Sequence, residues 1–356
     1  MTLHKLTKVC VSVVAALACF GANAASNGVA VNLSAAKTVL QSNDDVVVNV
    51  KFTNTSGADQ YVLKWFTPFV SAEQQLFDVY RDGVKVDYLG KQAKRTAPVA
   101  SDYFLVKAGK SYTQQVELSS LYDMSVSGSY SVKYNAASAH LFGGAAATSL
   151  AAGKDVGVMQ SDSMKMYISG RLSVAAPVQA LLQPQASSLS FTSCTSSQSS
   201  AITSAIAASK TYANAAYAYF TAAKTGSRYT TWFGAYTAAR YSTATSHFSA
   251  ISNAFATKAI TVDCSCTDTG TYAYVYPTQP YKIYVCGAFW TAPTTGTDSK
   301  GGTLIHEMSH FNVVAGTLDN VYGQSGAKAL AISNPTKALA NADSHEYFAE
   351  NNPALN

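Results

Sequence analysis

Two histidines four residues apart bracket a glutamate in the stretch GGTLIHEMSHFNVVAGTLDNVYG, residues 301–323. On a helix, residues four apart sit one turn above each other on one face. His306 and His310 can therefore offer imidazole nitrogens to one ion, with Glu307 beside the same face. Neutral imidazoles hold Zn2+ while leaving a coordination position for water, and an adjacent carboxylate accepts that water's proton and passes it to a leaving amine. The pattern points to metal-dependent hydrolysis; the other reading is a solvated helix face. A catalytic zinc takes a third protein ligand. One arrangement puts it six residues beyond the second histidine, after a glycine at the third, but those positions hold Gly316 and Val313, so it fails. Asp319 follows Gly316-Thr317, where a left-handed glycine can turn the chain back on the helix. That would bring Asp319 towards the metal; a solvated turn residue is the alternative.

The rest of the chain must fold to position these groups. Its 356 residues suffice for two domains, and 48% hydrophobic with 13% charged residues describes a globular protein. The net charge of +5 is scattered. Lys91 to Arg95 is the only short basic cluster, and no stripe marks a nucleic-acid footprint. Lys5 and Lys8, the apolar run Val9 to Phe20 and Ala22-Asn23-Ala24 read as a signal peptide over residues 1–24, so the protein is expected to be exported, with no membrane association afterwards. Export leaves Cys194, Cys264, Cys266 and Cys286, an even set that suggests two disulfides with three possible connectivities. A bridge between Cys264 and Cys266 is disfavoured by strain.

Residues 26 to about 170 read as strands: 45–54, 103–119, 128–136 and 163–170 alternate apolar and polar residues, with turn clusters at 54–57 and 81–83 between runs. An antiparallel sandwich, immunoglobulin-like, is expected. Residues 171–193 have the composition of a linker. Helical spacing then covers 199–224 and 228–259, short strands fall at 259–264, 271–277 and 281–290, and Asp298 or Ser299 can cap a helix through 302–314. The C-terminal half is expected to be α+β and mostly helical.

H-E-x-x-H followed by G-T-x-D-x-x-Y-G, unbroken from His306 to Gly323, resembles the aspzincin (deuterolysin) metallopeptidases. The stretch NADSHEYFAENNP, 341–353, looks most like the peptidyl-Lys metalloendopeptidase branch; the resemblance covers roughly the last 165 residues. It implies zinc ligands His306, His310 and Asp319, Glu307 as general base, and Tyr322 as donor to the oxyanion. It also implies Asp343 as a partner orienting a ligand histidine, and the pairs Cys194–Cys264 and Cys266–Cys286. Asp343 and Glu346 share a helix face, and in that branch two such carboxylates hold lysine after the scissile bond. Asp343 could instead cap the last helix, and Glu346 could be a solvated carboxylate or a rival zinc ligand. His345 and Glu350 read as surface or structural residues.

Together these imply a secreted zymogen with one Zn2+: signal 1–24, β-sandwich pro-domain 25–180 ending in a cleavable linker, and catalytic domain 181–356. It would act as a monomer on protein and peptide substrates, with an edge strand near TYAYVYP aligning them. The pro-domain would be an intramolecular inhibitor, with Lys154 as one candidate for the acidic pocket. The rival class is an exported β-sandwich binding protein with a structural zinc site.

Overall fold

The computed structural model of the chain describes residues 28–69, 74–143, 156–171 and 188–356. The export segment, Lys154 and most of the linker lie outside them. Strict alternation makes the N-terminal half β: along Val47–Asn54, Val48, Val50 and Phe52 are buried while Val47 and Lys51 are exposed. This strand lies antiparallel between Val29–Ser34 and Ser111–Glu117. Facing it is a sheet built around Gly128–Ser138, flanked by Phe77–Arg81 and Met164–Ile168. Val79, Tyr130, Val132 and Tyr134 complete one hydrophobic core with the first sheet. The run predicted as one strand over 103–119 is two strands in different sheets, Tyr103–Val106 and Ser111–Glu117. Gly109, at φ +67°, turns the chain between them.

The C-terminal half is helical around a small sheet. Thr195 opens the helix Ser196–Thr221 through a capping box with Gln198. The helix expected over 228–259 is two, Ser227–Phe233 and Ala238–Thr257. The break is Gly234 at φ +75°, packed against the Ala331 carbonyl and Pro335. Residues 287–290, expected in a strand, start the short helix Gly287–Thr291. The helix carrying the two histidines runs Lys300–His310, shorter than the 302–314 expected at its C-terminal end, and every residue in it is buried. The Ser299 side chain caps it by accepting from the Gly302 amide. Gly323–Ser333, Pro335–Leu339 and Ala342–Glu350 complete the helices.

The sheet of this half runs Leu189–Thr192, Ile260–Asp263, Lys282–Val285, Thr271–Val275. Its first strand falls inside the stretch read as linker. It pairs in parallel with Ile260–Asp263 and is tied there by the Cys194–Cys264 disulfide; the second disulfide is Cys266–Cys286. Both are the pairs that the resemblance implies. The fifth strand comes from the N-terminal half: Gln92–Arg95 leaves its own sheets and adds antiparallel to the edge strand Thr271–Val275.

Gly234→Ala should destabilise the chain by about 2 kcal/mol or more, since it combines a left-handed backbone with a collision against a carbonyl. Urea unfolding checks this, and an unchanged midpoint would show that the helix break does not depend on glycine.

Candidate active site

The site is built on the buried helix Lys300–His310 and the turn that follows it. Phe311 ends the helix, and Gly316, at φ +58°, reverses the chain as its sequence position suggested. The Thr317 amide then bonds the Ser309 carbonyl and the Thr317 carbonyl accepts from His310 Nδ1 at 2.8 Å. That bond makes Nδ1 the donor and turns His310 Nε2 inward. The same turn carries Asp319 back over the helix. Its Oδ1 lies 3.0 Å from His306 Nε2 and 3.3 Å from His310 Nε2.

These three atoms are buried, yet none makes a hydrogen bond. Buried polar atoms converging on one point without bonding one another are what a cation would satisfy. Two imidazole nitrogens and one carboxylate oxygen fit Zn2+ with a coordination position to spare. On the other side of His306, Nδ1 lies 2.8 Å from Asp343 Oδ1 and 3.4 Å from Glu346 Oε2. Burial disfavours charge on His306, but Asp319, Asp343 and Glu346 outweigh it and raise the imidazole well above its ordinary value.

Asp343 and Glu346 stand on the helix Ala342–Glu350, and both are buried. The cap of that helix is Asn341, so Asp343 lies in its first turn instead; its Oδ2 accepts from the Gly323 amide at 2.6 Å. Glu346 is not a solvated carboxylate. It and Asp343 could form a second cation group with His306, but an ammonium already lies against both. Lys94, from the inserted strand, places Nζ 2.8 Å from Glu346, 3.0 Å from Asp298 and 3.7 Å from Asp343. The Tyr272 and Tyr347 rings flank it at 5.2 and 5.5 Å. Tyr272 is the extra residue where the register of the edge strand shifts, between Thr271 opposite Arg95 and Ala273 opposite Lys94. Burial works against the Lys94 charge, but Asp343 and Glu346, followed by Tyr347 and Asp298, raise its pKa well above the ordinary value.

The backbone of the inserted strand meets the remaining predicted residues. The Ala93 amide donates to Asp319 Oδ2 at 3.0 Å and the Lys94 amide to Glu307 Oε1 at 3.3 Å. Tyr322 donates its phenol to the Ala93 carbonyl at 2.8 Å and accepts from Gln74 of the N-terminal half. Burial keeps that phenol well above its ordinary pKa, so it stays a donor. Burial also pushes the Glu307 carboxyl up to about 7.

Sequence reasoning missed Lys94, Asp298 and Gln74. The one signal for Lys94 was its place in the chain's only short basic cluster. His345 and Glu350 are not surface residues, for both are buried. Glu350 accepts from the Ser299 amide and hydroxyl and so fixes the start of the histidine helix. His345 donates from Nδ1 to the Asn341 carbonyl, and its Nε2 lies 2.9 Å from His247 Nδ1.

A family profile described as "Lysine-specific metallo-endopeptidase" matches residues 218–350. The chain is 46% identical over 336 residues to an "Extracellular protease" of Aeromonas hydrophila, covering 92% of this chain and 94% of that protein. It is 38% identical over 343 residues to a "Peptidyl-Lys metalloendopeptidase" of Armillaria mellea, covering 93% of each. A protein of the same name from Pleurotus ostreatus is 53% identical over 167 residues, 46% of this chain and 98% of that one. The chain belongs to the aspzincin family of zinc metalloendopeptidases. It is a protease, and the alternative of a binding protein with a structural zinc gives way. Among the described residues no helix is long and apolar enough to cross a membrane.

The paired histidines behind the site make a prediction. Burial lowers the His345 pKa to about 3 and the His247 pKa to about 4. The unfolded chain takes up protons below about pH 6.5 that the folded chain refuses, so stability should fall as pH drops from there towards 3. Melting temperature against pH should slope downwards on the acid side, and less steeply in His345→Gln. An equal slope in the variant would show that this histidine does not carry the effect.

Proposed function

We propose that the chain is a secreted zinc metalloendopeptidase, made as a zymogen and selective for lysine on the C-terminal side of the scissile bond. Residues 1–24 serve as export signal, 25–180 as an inhibitory pro-domain of immunoglobulin-like sandwich type, and 181–356 as the catalytic domain of a monomer. The observation that carries this reading is the enclosure of the Lys94 ammonium by Asp298, Asp343 and Glu346. The N-terminal half lays a peptide in the cleft as a substrate would lie, with lysine in the acidic pocket. Mainly antiparallel sheets around one core support the sandwich. A relative that matches over 98% of its own length, but over less than half of this chain, supports a separable catalytic unit. Export is supported by the name of the Aeromonas relative, and lysine selectivity by the names of the fungal ones.

In this reading His306, His310 and Asp319 hold one Zn2+, which when bound polarises the peptide carbonyl and acidifies water. Glu307 takes the proton that water gives up and returns it to the leaving nitrogen, whose place is that of the Lys94 amide. Tyr322 donates to the carbonyl oxygen as negative charge develops there. Asp343 holds the Nδ1 proton of His306, which turns the Nε2 lone pair to the metal. Asp343 and Glu346 select an ammonium, because an apolar side chain would leave these buried carboxylates unpaired.

Mass spectrometry of a protein mixture digested by the mature enzyme should find product N-termini dominated by lysine. Glu346→Gln should lower kcat/KM on lysyl bonds by about 10-fold or more and on other bonds by less, since it removes the carboxylate 2.8 Å from the ammonium. Product N-termini without lysine enrichment would refute the selectivity.

A further inference from the structure

The inserted strand lies in the cleft in the register of a substrate about to be cut. The Ala93 carbonyl oxygen receives the Tyr322 phenol at 2.8 Å, and the Lys94 nitrogen sits 3.3 Å from Glu307 Oε1. The peptide bond between them thus has a donor on its oxygen and a proton carrier on its nitrogen. Its neighbours agree: the Lys94 side chain fills the acidic pocket, and the strand runs antiparallel to the edge strand with Ala93 opposite Tyr274. An inhibitor that merely blocked the cleft would gain nothing from aligning one particular peptide bond with the residues that act on it.

We infer that Ala93–Lys94 is the first bond this chain hydrolyses, in cis, when zinc is bound. The inference rests on the function proposed above and adds the site and order of maturation. Water adds its oxygen to the Ala93 carbonyl carbon, both of its protons pass by way of Glu307 to the Lys94 nitrogen, and the carbon–nitrogen bond breaks. The products are an Ala93 carboxylate and a Lys94 ammonium. Cleavage divides a four-residue strand into two-residue stubs, too short to hold their pairing with the edge strand. The lysine that closes the cleft becomes the new terminus by which the cleft opens.

The test uses the full-length chain prepared metal-free. Amine acylation followed by peptide mapping should find Lys94 at least tenfold slower to react than the exposed Lys85 and Lys107. Zinc is then added and the reaction quenched over a time course for intact mass and N-terminal analysis. The earliest new N-terminus should be Lys94, appearing with a first-order rate constant unchanged over tenfold dilution. Glu307→Gln should keep the protection of Lys94 and leave the bond intact. Acylation of Lys94 as fast as Lys85 would overturn the inference, as would a first cut elsewhere with Ala93–Lys94 intact, or a rate constant that falls in proportion to dilution. Lysine preference of the mature enzyme on unrelated proteins is read separately, so a misplaced first cut leaves the proposed function standing.

Discussion

A lysine ammonium can be buried only where carboxylates neutralise it, and the cost of burying the carboxylates is met only by the cation. The side chains of Lys94, Asp343 and Glu346 are each 2% exposed or less, so each charge needs the others. The contact joins the two halves of the chain at the point where the catalytic chemistry is assembled. It also places the neighbouring backbone, because the Ala93 and Lys94 amides are fixed once the side chain and the strand pairing are fixed. Removing either partner alone leaves an uncompensated charge.

Around that contact the site is held in place by a set of supporting groups. The Glu350 carboxylate anchors Ser299, and Ser299 caps the helix that bears both histidines. The Thr317 carbonyl fixes the tautomer of His310, while Asp343 Oδ1 stands 2.8 Å from His306 Nδ1 on the opposite side. Asp343 therefore serves two ends: one oxygen faces His306 and Lys94, and the other holds the Gly323 amide beside Tyr322. The positions of His306, of the segment bearing Tyr322 and of the acidic pocket are coupled through one side chain. Such coupling keeps a site preorganised, which is where electrostatic catalysis draws its strength.

How far this was legible in the sequence follows the range of each interaction. The histidine spacing, the Gly316 turn and the return of Asp319 span fourteen residues and could be read locally. Alternation gave the strand 47–54 its buried face, and Ser299, one of the two caps considered, starts the histidine helix. What local patterns misjudged were breaks decided by a single backbone angle, at Gly109 and Gly234, where the apolar period runs on through the turn. The strand Leu189–Thr192 was hidden for another reason: its pairing partner lies 71 residues away, and its Ser-rich composition resembles a linker. The inserted strand was the hardest to see. Four residues, Gln92 to Arg95, carry no periodicity, and the meaning of Lys94 depends on carboxylates about 250 positions later in the chain.

The claim at the centre is that the Lys94 ammonium, seated among three carboxylates, keeps the cleft shut. The most direct measurement is the initial rate at which uncut, zinc-loaded chain hydrolyses a quenched lysyl peptide, with Lys94→Met compared to the unchanged sequence and intact mass confirming that no chain has been cut. Methionine keeps much of the length of the side chain and removes the charge, leaving Asp343 and Glu346 without their ammonium. The variant should be at least tenfold faster from the first seconds. Equal latency in the two proteins would contradict the account, and would assign the closure to the strand's backbone alone.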